Sequence, residues 1–131
     1  MAAVLAGGAG TVLSHRSAGQ IWGILPRSNA WPEVTRPRSF RPRLGLVAHR
    51  GQVPEDEMTI VEAIPVTGLS RTVLDLAGRS SRTQVERMLN EAQILGLTDV
   101  ISIPALLARY PRRAGSAAVR QVLQLNAMLA A

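Results

Sequence analysis

The sequence predicts an α+β fold: an N-terminal helix, a small, mostly antiparallel sheet of about three strands, then three to four C-terminal helices. Three observations lead there. Behind Ser14, apolar residues recur at helical spacing. Between Trp31 and Thr67, short β-favouring runs alternate with charged, proline-bearing segments. After Ser70 the spacing turns helical again, with repeated capping signals. The 131 residues amount to one domain, so 1–131 is read as a single unit.

Each element has a local reason. Met1–Ala6 reads as the tail of a helix ended by Gly7 and Gly8. Ser14 is an N-cap residue, and Ala18, Ile21, Trp22 and Leu25 form an inner stripe that Pro26 stops. Trp31–Arg36 is a short strand with Val34 as its apolar member, and Leu44–Arg50 is a second. Met58–Val61 is a third, since Ile60 and Val61 favour β structure. Ile64–Thr67 is extended, but Pro65 confines it to an edge or to no strand at all. Ser70 caps a helix that buries Val73, Leu74 and Ala77 and ends at Gly78. Ser81 and Gln84 form a capping box for a helix burying Val85, Met88, Leu89, Ala92 and Leu95, which stops at Gly96. Ser102 and Pro104 open a short helix through Leu106, Leu107 and Tyr110. Pro111–Gly115 is a loop. Val119, Val122 and Leu123 belong to a last helix, which reaches Ala131 without a capping signal and reads as cut off.

Composition excludes several classes. With 47% hydrophobic and 18% charged residues the chain is not disordered by composition. Its apolar runs fall far short of the roughly 20 residues that span a membrane, and Met1–Gly10 lacks the basic flank of a secretory signal. There is no cysteine, which excludes disulfides, thiolate zinc sites and cysteine nucleophiles and fits a cytoplasmic location. All fifteen basic residues are arginine. The lack of lysine excludes a Schiff-base lysine, a P-loop lysine and the lysine of carboxylate–lysine nuclease motifs.

The charge is uneven. Residues 1–50 hold seven arginines and one acid, Glu33, and so carry the entire net charge of +6; the other 81 residues balance eight arginines against eight acids. The densest stretch, Arg36-Pro-Arg-Ser-Phe-Arg-Pro-Arg43, reads as an exposed loop with fanned guanidinium groups suited to carboxylates or phosphates. Arg36, Arg38, Arg41, Arg43 and Arg50 are thus candidate contacts for an acidic protein or for DNA. His15 and Arg16, at the positive end of the first helix, join them.

Other residues read as structural. Arg71 and Asp75 stand four apart on one helix face and, with Thr67 at the turn and Thr72, form a brace between helix and sheet. Glu55-Asp56-Glu57 reads as a solvated turn; His49 lies a few residues upstream, but one histidine and a charged turn do not specify a metal site. No serine–histidine–acid order, phosphate loop or metal-ligand spacing stands out, so no enzyme, cofactor or metal is expected. Gly7–Gly10 follows no strand and is a weak phosphate signal.

Two stretches carry a resemblance. Leu13-Ser-His-Arg-Ser-Ala-Gly-Gln-Ile-Trp-Gly-Ile-Leu25 and Ile64-Pro-Val-Thr-Gly-Leu-Ser-Arg-Thr-Val-Leu-Asp-Leu-Ala77, in this order, resemble the AbiEi-like antitoxins of type IV toxin–antitoxin and abortive-infection systems. Pro32-Glu-Val-Thr-Arg-Pro37 and the strand ending in His49-Arg50 fall where that family has its small sheet. The resemblance covers roughly Ala2 to Leu125. It implies a domain that neutralises a nucleotidyltransferase-like toxin. Such proteins usually begin with a DNA-binding winged helix, and many high-GC relatives carry a very-short-patch-repair-like endonuclease domain behind it. Neither is legible here, so the chain is expected to be the middle domain of a longer architecture. The implied function is non-enzymatic and regulatory, exerted on a toxin or other acidic protein and through transcription. The alternative is a basic DNA-binding module or a remnant of the nuclease-bearing protein.

Overall fold

The computed structural model describes residues 8–39 and 41–130. The expected Met1–Ala6 helix tail and Phe40 of the basic loop lie outside them. Among the described residues the fold is mixed, with five α-helices and one five-stranded sheet. In chain order these are β1 (Val12–Leu13), α1 (His15–Trp22), β2 (Glu33–Arg36), β3 (Val47–Arg50), a 3₁₀ turn (Glu55–Glu57), β4 (Met58–Val61), β5 (Ile64–Thr67), α2 (Leu69–Ala77), α3 (Arg82–Ile94), α4 (Ile103–Arg109) and α5 (Ser116–Ala130).

The sheet is larger and less antiparallel than expected. Its order is β3-β2-β1-β5-β4. β1 runs antiparallel to β2 and parallel to β5; β2–β3 is parallel and β4–β5 antiparallel. The strand missing from the expectation is β1. Two residues carry no periodicity, and only pairing with distant segments makes Val12–Leu13 a strand. β5 is interior rather than an edge. Its ladder to β1 is a single pair, Leu13 with Val66, so Pro65 sacrifices little there. The β4–β5 hairpin turns through Glu62 and Ala63, both at positive φ (49° and 65°), as a type I′ turn requires.

Two helix boundaries also shift, and one expected cap bond is missing. Ser14 stands at the N-cap of α1, but its side chain makes no cap hydrogen bond. α1 ends at Gly23 in the left-handed region (φ 80°), before Pro26 acts. α2 is preceded by Gly68, not capped by Ser70. Ser70 lies in the first turn: its N–H donates to the Asp99 carboxylate at 2.8 Å, and its hydroxyl donates to the Ile101 carbonyl at 2.7 Å. Asp99 thus completes the α2 start from 29 residues away. α3 and α4 begin as expected, through the Ser81/Gln84 box and Ser102. Leu95, expected inside, is exposed at the end of α3.

All nine residues of α2 are buried. The helix is the axis of the domain, touching α1 on one side and α3, α4 and α5 on the other. Its apolar face joins Val85, Met88, Leu106, Val119 and Val122 in the main core. Each such fully buried aliphatic side chain contributes about 1.5–3 kcal/mol. A smaller cluster of Leu13, Ala18 and Val66 fixes α1 on the sheet, and Trp22 packs on both. The Trp22 indole N–H donates to the Thr67 carbonyl at 2.9 Å. Gly115 (φ 91°) lets α5 start directly against the end of α2: a Cβ there would lie 2.5 Å from the Gly78 nitrogen.

Candidate functional site

The polar interior is organised by two buried glutamates, Glu33 and Glu57. The Glu33 centre begins where β1 turns into α1. Ser14 is still extended, and His15 takes the turn at φ 52°. A left-handed φ on a non-glycine residue costs on the order of 1 kcal/mol, and histidine is among the types enriched there. The Ser14 hydroxyl, turned away from the helix, meets His15 Nδ1 at 2.8 Å and accepts from the Thr35 hydroxyl at 2.7 Å. The capping role passes to Glu33, whose Oε1 accepts the Arg16 backbone N–H at 3.4 Å. Ser17 Oγ in turn accepts the Glu33 N–H at 2.8 Å.

Register brings in the second histidine. β2 and β3 pair Thr35 with His49, and Glu33 shares the Thr35 face of β2. His49 Nε2 lies 2.8 Å from Glu33 Oε2, and its ring stacks on that of His15 with centroids 3.8 Å apart and planes 17° apart. Arg79, just past α2, grips the same carboxylate with both terminal nitrogens, Nη1 at 2.8 Å from Oε2 and Nη2 on Oε1. The Arg16 guanidinium stands 3.5 Å from Oε1 and donates to the Trp31 carbonyl. Burial is the main influence on His15 and pushes its pKa down to about 4, against the pull of the Asp75 carboxylate. Burial alone would raise the Glu33 pKa, but the hydrogen bonds from His49 and Arg79 hold it well below the carboxylate range. At neutral pH the centre therefore pairs an ionised carboxylate with a neutral His15.

Glu57 closes the 3₁₀ turn, which is thus not merely a solvated acidic turn. Arg71 Nη1 donates to its Oε1 at 2.7 Å; Arg109 Nη1 and the Tyr110 hydroxyl each donate to Oε2 at 2.7 Å. Arg109 also holds Asp56 through two bonds. Arg71 Nε reaches Asp75 Oδ1 at 3.0 Å, and Arg113 reaches the same oxygen at 2.6 Å. Asp75 Oδ2 is buried without a hydrogen-bond partner among the described residues. Thr67 and Thr72 share a 2.7 Å hydroxyl contact at the β5–α2 junction. Arg71 and Asp75 thus pair as expected, with Glu57 as the unforeseen second partner of Arg71, while Thr67 and Thr72 bond each other at the same junction.

The candidate contact residues divide. Arg38, Arg41, Arg43 and Arg50 are exposed, Arg50 at the end of β3 and the other three in the β2–β3 connection, where Arg38 donates to the Ala9 carbonyl at 3.4 Å; Arg36 closes β2 half-buried. Arg43 and Leu46 pair across a tight turn. Among the described residues, Arg38, Arg41 and Arg50 enter no ion pair. His15 and Arg16 belong instead to the Glu33 centre. Sequence reasoning missed Glu33, His49, Arg79, Glu57 and Arg109 as site members. One signal was available for Glu33: it is the only acid in an arginine-rich half.

Among the described residues, His15, Glu33 and His49 are also a group with metal-ligating chemistry: one ligand atom from each lies within 4.8 Å of the others. No protein-family model matches the chain, and no curated protein matches it significantly. No helix among the described residues is long and apolar enough to cross a membrane.

Proposed function

We propose that the chain is a non-enzymatic, antitoxin-like regulatory domain of a toxin–antitoxin or phage-defence system. It acts in the cytoplasm by docking an acidic partner protein, a nucleotidyltransferase-like toxin, on the arginine-rich edge of its sheet. The observation that carries this reading is how the charge is used. The only acid of the first fifty residues, Glu33, is buried and gripped by Arg79, so it cannot neutralise the exposed Arg38, Arg41 and Arg50. β3 is one of the two edge strands of the sheet, and Arg50 ends it. An edge with guanidinium groups beside it offers backbone pairing and carboxylate recognition together. The two stretches that resemble AbiEi-like antitoxins support the same reading.

The test is the triple variant Arg38→Glu, Arg41→Glu, Arg50→Glu, assayed for toxin neutralisation and co-purification. Loss of both with an unchanged thermal midpoint is expected, because all three side chains are exposed. Neutralisation at wild-type dose by the triple variant would sink the proposal. Salt-steep binding of duplex DNA with no binding of the toxin would replace it with the DNA-module reading.

A further inference from the structure

We propose that His15, Glu33 and His49 form a binding site for one divalent transition-metal ion of the zinc or iron(II) class. The chain has only two histidines in 131 residues, at the start of α1 and on β3, and the fold puts their rings in contact beside a buried carboxylate. Two imidazoles and one carboxylate are the donor set of borderline divalent ions; hard cations prefer oxygen alone, and soft ones prefer the sulfur this chain lacks as thiol.

The surroundings suit ligands as well as hydrogen bonds. Ser14 Oγ lies 2.8 Å from His15 Nδ1 and has a lone pair beyond the one Thr35 uses, so it accepts the ring proton at Nδ1 when Nε2 takes an ion. An outer partner that fixes a ring in this way is what metal-bound histidines ordinarily have. Arg79 and Arg16 play the same part on the Glu33 side through Oε1. His15 is kept in a left-handed backbone conformation, a strain that the fold sustains at this one histidine. His49 is one-third exposed, which gives an ion a way in and leaves room for water on its open side.

Distances set what binding demands. Ligand atoms about 2.1 Å from a tetrahedral ion lie about 3.4 Å apart, so a group spread over as much as 4.8 Å must close by up to about 1.4 Å. His49 Nε2 and Glu33 Oε2, at 2.8 Å, are already close enough; an ion between them replaces their hydrogen bond and leaves Nδ1 to carry the ring proton. Arg79 Nη1 must release Oε2 while Nη2 keeps Oε1. The stacked rings must turn their edges toward each other.

The experiment is equilibrium dialysis of the untagged, chelator-stripped chain against micromolar zinc chloride, followed by metal analysis. One zinc per chain is expected. His15→Asn with His49→Asn is expected to bring the stoichiometry to zero. Cobalt(II) should give visible absorption bands of mixed nitrogen and oxygen ligation. Should the double variant fail to fold, the wild-type protein decides alone: ring resonances of both histidines must shift in step with added zinc. No bound zinc, equal binding by the folded double variant, or unmoved ring resonances would each overturn the site.

Discussion

Glu33 and Glu57 are the same residue type, equally buried, and each is held by arginine, yet they sit in opposite surroundings. The partner at the heart of the Glu57 centre, Arg71, has a side chain only 3% exposed, and α2 carries both Arg71 and Asp75. The partners of Glu33 are all about a third exposed or more: His49 at 33%, Arg16 at 34% and Arg79 at 42%. Glu57 also has a surface partner, Arg109 at 37%, but its Oε1 is held by a buried guanidinium; every charged partner of Glu33 reaches the surface. Burial of the acid therefore does not tell structure from function. What separates the two centres is the one buried cation, Arg71, that Glu57 has and Glu33 lacks.

The largest effect should come from breaking the Glu57 centre. Arg71→Ala leaves Glu57 without its buried cation and Asp75 with one partner fewer, and should cost about 3–5 kcal/mol in urea unfolding. Glu33→Gln should cost less, about 1–2 kcal/mol, because Arg79, Arg16 and His49 can turn to water. Equal losses in the two variants would erase the distinction between the centres.

The smallest effect sharpens the same contrast at alkaline pH. Tyr110 is the chain's only tyrosine, so its ionisation is readable by absorbance. Burial, and then the hydrogen bond to Glu57, raise its pKa above the ordinary value of 10.0. The folded protein keeps this proton longer than the unfolded chain, so the resulting stability is complete below pH 10 and is lost as pH rises through the folded value. The absorbance midpoint of the folded protein should exceed that of the urea-unfolded chain and fall toward it in Glu57→Gln. An unchanged midpoint in that variant would detach Tyr110 from the Glu57 centre.

What the sequence made legible follows the range of the interactions. α3 and α4 carry their caps within three residues, at Ser81–Gln84 and Ser102–Ala105, and both were readable. β1 was not, because two residues become a strand only between β2 and β5. Nor was the end of α1, where Gly23 acts before the more conspicuous Pro26. The arginine-rich side could be counted directly. The Glu33 centre could not: it needs β3 at 16 residues' distance and Arg79 at 46. Glu57 was hidden for the same reason, since Tyr110 and Arg109 approach from the other end of the chain.

The borrowed caps bear on the order in which the domain assembles. α1 and α2 lack side-chain caps of their own and rely on carboxylates 17 and 29 residues away in sequence. Neither can be completed until a distant segment has arrived, and the entropy of closing those loops is spent before the helix ends are satisfied. The first turns of α3 and α4 carry no such debt, since their caps lie within three residues. The ends of α1 and α2, and with them the Glu33 centre, thus depend on the whole tertiary arrangement, whereas the starts of α3 and α4 are satisfied locally.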